Sequence, residues 1–219
     1  ILGWEAAFAG TSHLELSKLG THRYGSDLMN ITADATLPGA LGSFGYDDEG
    51  TPAQRVDIVK NGTWVGVLSG RDSASIAGLS PGGMVRADGF NRLPMVRMTN
   101  VGLLEGDASL DEIIADTQDG VYMSTNRSWS IDDKRLNFQF GCEIGWEVKN
   151  GKLGRMLRNP TYTGIGPVFW GNLDRLAGGD EWIHWGTPNC GKGQPMQVAH
   201  TGHSAAPARF KNVRVGVRG

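Results

Sequence analysis

Residues 138–148 alternate for eleven residues, with Phe138, Phe140, Cys142, Ile144, Trp146 and Val148 on one parity and Gln139, Glu143 and Glu147 on the other. Successive side chains of a strand leave opposite faces, so this period of two reads as a half-buried β-strand. The run ends at Asn150-Gly151, a pair suited to the positive-φ positions of a type I′ turn, and a second arm continues to Arg158. A long hairpin is therefore expected over residues 137–158. The same reasoning places a hairpin in "RVDIVKNGTWVGVLSG", residues 55–70, where Val56, Ile58, Trp64 and Val65 flank Asn61-Gly62. On its parity Cys142 keeps company with two Phe and a Trp, and it reads as a small core hydrophobe.

Glycine supplies 33 residues, about twice the usual share of roughly 7%, scattered between apolar runs in the manner of many turns. Helices are few. Ser109 and Glu112 have capping-box spacing, Leu110, Ile113 and Ile114 form an apolar face, and Gly120 reads as the stop of a helix over 109–120. Shorter helices are expected at 72–79, before Pro81, and in "GNLDRLAGG", residues 171–179. Residues 10–54 have little period and read as loops and short strands. The expected class is α+β and β-rich, mostly antiparallel sheet with β-hairpins and two or three short helices. No repeat or linker divides the chain, so residues 1–219 are expected to form a single domain. Its opening, "ILGWEAAFAG", reads as cut from something longer.

A formal charge of −2 with 20% charged residues provides no field to recruit nucleic acid or an acidic membrane. The basic C-terminal run "RFKNVRVGVRG" alternates and reads as a strand. No apolar run approaches the roughly 20 residues that cross a bilayer. Two cysteines cannot build a disulfide framework, which makes a reducing, cytoplasmic setting the expectation.

Self-sufficient catalytic motifs are missing: there is no G-x-S-x-G, P-loop, C-x-x-C or H-E-x-x-H. The acidic "YDDEGTP", residues 46–52, lacks the ligand pattern of a calcium loop and reads as a solvated turn. Cys190 stands outside any period, between Pro188-Asn189 and Gly191-Lys192-Gly193, and His200 and His203 follow. Lys192 would favour a thiolate, and thiolate with imidazole suits zinc. Three readings are open for Cys190: a metal ligand, a nucleophile paired with a His, or an ordinary loop cysteine beside two surface histidines.

"RLPMVRMTNVGLLEGDASLDEIIADTQDGVYM", residues 92–123, with Pro94, Arg97-Met98-Thr99-Asn100, Gly106 and the capped helix, resembles the TldD/PmbA family. Some members of that family carry the name modulator of DNA gyrase. "YDDEGTPAQRVDIVKNGTWVGVL", residues 46–68, and "NCGKGQP", residues 189–195, are similar to further segments of it in the same order. The resemblance implies a zinc-dependent peptidase whose H-E-x-x-x-H helix gives two His ligands and a Glu that activates water. The third ligand in the family is a Cys that matches Cys190, while PmbA/TldE-type paralogues lack both the His motif and this Cys. H-E-x-x-x-H is absent here. In relatives it precedes a stretch resembling "LGWEAAFAG", so the chain is expected to be the C-terminal domain of a longer parent, with its catalytic residues upstream.

On this reading Cys190 is the metal ligand of this chain, with His200 and His203 as the lesser option. Zinc belongs to the full-length protein, and little tightly bound zinc is expected in this piece alone. The expected partners are a peptide or unfolded protein substrate and either a second copy or a paralogous subunit, with no direct nucleic acid and no membrane. The competing reading is a non-catalytic partner or gyrase-modulating subunit in which Cys190 is structural. Arg97-Met98-Thr99-Asn100 has two readings, as lining of a substrate cleft or as strand-edge hydrogen-bonding groups.

Overall fold

The structure, a computed structural model, describes residues 12–193 and 195–216. The opening "ILGWEAAFAG", position 194 inside "NCGKGQP" and the end of the basic C-terminal run lie outside the described residues.

In chain order the first strands are β1 (Ile31–Asp34), β2 (Arg55–Lys60), β3 (Thr63–Trp64), β4 (Val85–Arg86), β5 (Met95–Val96) and β6 (Asn100–Leu103). There follow β7 (Asp119–Ile131), β8 (Asn137–Lys149), β9 (Lys152–Arg158), β10 (Thr161–Ile165) and β11 (Leu173–Leu176). The last are β12 (Ile183–Lys192), β13 (Gln197–Ala205), β14 (Ala208–Phe210) and β15 (Arg214–Gly216). Short helices α1 (Arg71–Ala77), α2 (Leu110–Ala115) and α3 (Gly166–Gly171) interrupt them. A six-stranded sheet has the order β12-β13-β6-β1-β2-β3, and a five-stranded sheet has β15-β10-β8-β7 with β9 also on β8. The ladders are antiparallel except β13 against β6, so the class is α+β and β-rich, as the sequence led one to expect. Among the described residues no helix is long and apolar enough to cross a membrane.

Both Asn-Gly hairpins form. Asn61 and Gly62 have φ of 46° and 75°, and Asn150 and Gly151 have 48° and 75°, the left-handed pair that matches the twist of the flanking strands. Strand β8 covers the whole alternating run, and Cys142 is 8% exposed, with burial pushing its thiol pKa up. The main core gathers Ile31, Ala33, Ile58, Val59, Trp64 and Leu103 from one side of the six-stranded sheet and its neighbours. Thr32 and Asp34 alternate to the other side.

Helix α1 occupies the expected place and ends at Gly78, which has φ of 68°. Helix α2 has the full capping box: the Glu112 amide donates to Ser109 Oγ, and the Ser109 amide donates to Glu112 Oε2. It stops at Ala115, well before Gly120. The amides of Asn150 and Gly151 donate to the carbonyls of Gln118 and Thr117, which pulls the chain into β7, where Gly120 lies opposite Val148.

The helix expected over 171–179 does not form. Its residues give the end of α3 and then strand β11. Leu173 and Leu176 are both buried because the β11–β14 register slips between Leu173 and Arg175. That slip puts residues three apart on one side, which imitates a helical spacing.

The acidic turn is solvated at Tyr46, Asp48 and Gly50, as expected, and Asp47 is the exception. Asp47 is 5% exposed; its Oδ1 accepts from the amides of Glu49 and Thr51, and its Oδ2 from that of Val85. Asp48 accepts from Ala87 N, and Glu49 from Arg71 N at the start of α1. The Asp-Asp-Glu run thus clips α1 and β4 to the body. Asp47→Ala is expected to cost about 3 kcal/mol, since charged acceptors of buried N–H groups are worth roughly 1.5–3 kcal/mol each and are not fully additive. Urea denaturation reads this directly, and a loss below about 1 kcal/mol would contradict the clip.

Candidate functional site

Cys190 lies in strand β12, not in a loop, and His200 and His203 lie in β13. The two strands pair from Ile183↔Ala205 to Thr187↔Thr201 and resume at Cys190↔Ala199. Pro188 and Asn189 therefore oppose His200 alone, a β-bulge. Proline has no N–H to give to a ladder, so a slip at Pro188 sacrifices little. The bulge destroys the period of two, which is why the segment reads as a loop in sequence.

Strand β12 is the outer strand of its sheet, and among the described residues nothing pairs with its free edge. Cys190 is a free, half-buried thiol on that edge, and beyond the bulge it shares a face with Ala199. His200 stands next to Ala199 and so occupies the opposite face. Its carbonyl accepts from Arg86 Nη1 at 2.9 Å. His203 has the parity of Ala199 but lies four residues further, about 13 Å along the strand. Its ring stands 6.4 Å from that of Trp185, and burial holds its pKa below the ordinary value, partly offset by a bond to the Val101 backbone. The strand thus brings neither histidine to Cys190. Among the described residues no group of three or more His, Cys, Asp or Glu is arranged to hold a metal ion.

Behind the hairpin stands the β4–β5 finger, and its polar groups hold β12 and β13 from one side. Arg97, 1% exposed, donates from Nη2 to the Cys190 carbonyl at 2.7 Å and from Nη1 to the Gln197 carbonyl at 3.1 Å. Lys192 Nζ donates to Val96 O at 2.7 Å, and Arg92 Nη2 to Met196 O at 2.7 Å. Gln197, itself buried, accepts from the Asp88 amide and donates to Leu93 O. Arg86 bonds both the His200 and Met98 carbonyls.

The run Arg97-Met98-Thr99-Asn100 is therefore internal bracing. Asn100 Oδ1 accepts from Gly42 N at 2.9 Å, and its Nδ2 donates to Asp34 O at 2.6 Å and Ser43 Oγ at 2.9 Å. Gly202 pairs with Asn100 across the parallel junction, where an added Cβ would fall 2.1 Å from Asn100 Oδ1. Of these bracing groups, Arg97 had one sequence signal, a charge bracketed by Val96 and Met98. Asp88 and Gln197 had none, because the partners through which they brace the hairpin lie about a hundred residues away.

Two shallow clefts, of about 280 and 170 Å³, are lined by residues such as Asp107 and Arg175, and Asp34 and Ser204, respectively. Neither is lined by Cys190, and both are smaller than the roughly 300–1,000 Å³ of ordinary small-molecule pockets.

The fold defines a β-rich α+β domain whose candidate ligand sits on an edge hairpin braced from behind. Residues 2–216 match the family model of the PmbA/TldA metallopeptidase C-terminal domain, and the chain belongs to that family. A metalloprotease of Methanothermobacter thermautotrophicus is 33% identical over 208 residues, covering 94% of this chain and 44% of its own length. A protein of Saccharolobus solfataricus named zinc metalloprotease TldD homolog is 30% identical over 145 residues, covering 66% of this chain and 32% of its own. The chain thus spans less than half the length of these relatives. A Thermotoga maritima structure whose name links it to modulation of a DNA gyrase shares the fold, with a TM-score of 0.74 at 20% identity over 99% of this chain and 45% of its own. TldE from Thermococcus kodakarensis gives 0.73 at 18% identity over 91% and 42%.

Proposed function

We propose that this domain is the C-terminal part of a TldD-like zinc metallopeptidase acting on extended or unfolded peptides, and that Cys190 supplies one protein ligand of the metal. The supporting observation is a free thiol on an unpaired sheet edge, held from behind by buried donors. A thiolate fits zinc. By the family resemblance the remaining ligands are assigned to an H-E-x-x-x-H helix, and the relatives are more than twice as long as the stretch this chain matches. Names of relatives as metalloproteases, one of them a zinc enzyme, agree with this.

When bound, zinc supplies Lewis-acid activation of water and of the scissile carbonyl. This chain's own residues bind and orient. The free edge of β12 offers backbone N–H and C=O groups to an extended peptide, which docks as an added strand beside Cys190. Ile183 and Trp185, both exposed on that strand, offer apolar contact to alternate side chains of the peptide. Main-chain pairing tolerates many sequences, but it requires a substrate whose backbone is not already paired, which favours unfolded segments. The working assembly is proposed to be a dimer, with a second copy or a paralogous subunit.

Backbone pairing is testable with N-methylated peptides. Full-length protein is expected to cleave an unfolded peptide at least about tenfold better, by kcat/KM, than the same peptide methylated on alternate amides, since each lost bond is worth roughly 1 kcal/mol. Equal rates would remove strand addition from the account. Failure to cleave any peptide would favour the non-catalytic partner subunit instead.

A further inference from the structure

We infer that Arg97 is the positioning residue for Cys190, setting the orientation of the peptide unit that carries the thiol; the inference rests on the metal-ligand reading above. The bulge at Pro188-Asn189 interrupts the ladder immediately before Cys190. A bulge re-aims the side chains beside it, and the cross-strand bonds that normally fix a peptide plane are incomplete there. The ladder resumes only at Cys190↔Ala199, so a bond to the Cys190 carbonyl steadies the first peptide unit past the break. Arg97 does so from 93 residues away: one arm of its planar fork takes the Cys190 carbonyl on β12 and the other takes the Gln197 carbonyl on β13. A single rigid guanidinium therefore spans both strands on the Cys190 side of the hairpin turn.

Stapling two strands would need only one polar contact, and Lys192, Arg92 and Gln197 already provide several between the finger and the hairpin. What Arg97 adds is a bond to the carbonyl of Cys190 itself. The guanidinium is in turn held in place by its burial and by the finger, where its own amide donates to Met84 O at 2.8 Å. The finger is clipped through Asp47 and Asp48. The chain of support runs from the acidic turn through β4–β5 to Cys190, which accounts for a buried arginine in a segment that otherwise reads as strand.

The test uses full-length protein, with zinc affinity measured by competition against a chromophoric chelator and with cobalt(II) replacing zinc to record the thiolate-to-metal absorption band. Arg97→Gln is expected to weaken zinc binding about 10- to 100-fold and to shift or diminish that band, as loss of an outer-shell partner does. Arg97→Lys, which keeps the charge but not the fork, falls between. Arg209→Gln, which breaks a bidentate pair with Asp174 remote from the hairpin, keeps wild-type affinity and serves as the control for general destabilisation. The inference is overturned if Arg97→Gln binds zinc within about twofold of wild type, or if Arg209→Gln loses as much as Arg97→Gln. Should Arg97→Gln not fold, Arg97→Lys is judged by the same criteria. Cys190→Ser separates the two claims: wild-type zinc affinity in that variant removes the metal-ligand reading itself, whatever Arg97 does.

Discussion

Asn100→Asp is expected to destabilise the domain more than Asn100→Ala, although it is the smaller change in shape. Asn100 is 1% exposed, and its amide is oriented by three partners. Truncation to alanine strands the Gly42 N–H and the Asp34 carbonyl, each buried polar group costing about 1–3 kcal/mol, for a loss of roughly 3–5 kcal/mol. Aspartate keeps an acceptor for Gly42 but sets an oxygen against the Asp34 carbonyl, where the structure has a 2.6 Å bond from Nδ2. It also buries a charge without a counter-ion among the groups that bond Asn100. The expected cost is on the order of 5 kcal/mol, a third or more of the stability of a typical domain. Urea midpoints of the two variants decide the matter. An aspartate variant as stable as wild type would show that the bond from Asn100 Nδ2 to the Asp34 carbonyl does not hold this part of β6 to β1.

What the sequence discloses here is local. The Asn-Gly turns, the eleven-residue alternation of β8 and the Ser109–Glu112 capping box each depend on residues a few positions apart, and each appears as read. Features that depend on distant partners were not legible. Asp47 looks like a surface acid until Val85, 38 residues on, is found donating to it. Leu173 and Leu176 have a helical spacing because a register slip substitutes for a helical turn. Cys190 looks aperiodic because two residues face one across the bulge beside it. The same strand geometry separates His200 from His203, which sequence proximity had grouped with the cysteine. Family resemblance singled out Cys190 where spacing left three readings open. Its environment, an unpaired edge with Arg97 behind it, came from the fold alone.

The second large effect concerns Cys190. Loss of an outer-shell partner costs about 10–100-fold in metal affinity, so removal of a direct ligand is expected to cost more than about 100-fold and to take cleavage with it. The substitution is mild for the fold, because the thiol is only half-buried and unpaired with Cys142, and small-to-smaller changes at such positions cost little. Zinc content of the full-length protein, measured by elemental mass spectrometry on wild type and Cys190→Ala with matched circular dichroism, is therefore the most direct test. The account predicts about one zinc per chain in wild type and a large deficit in the folded variant. Full zinc occupancy with unchanged peptide cleavage in Cys190→Ala would contradict it.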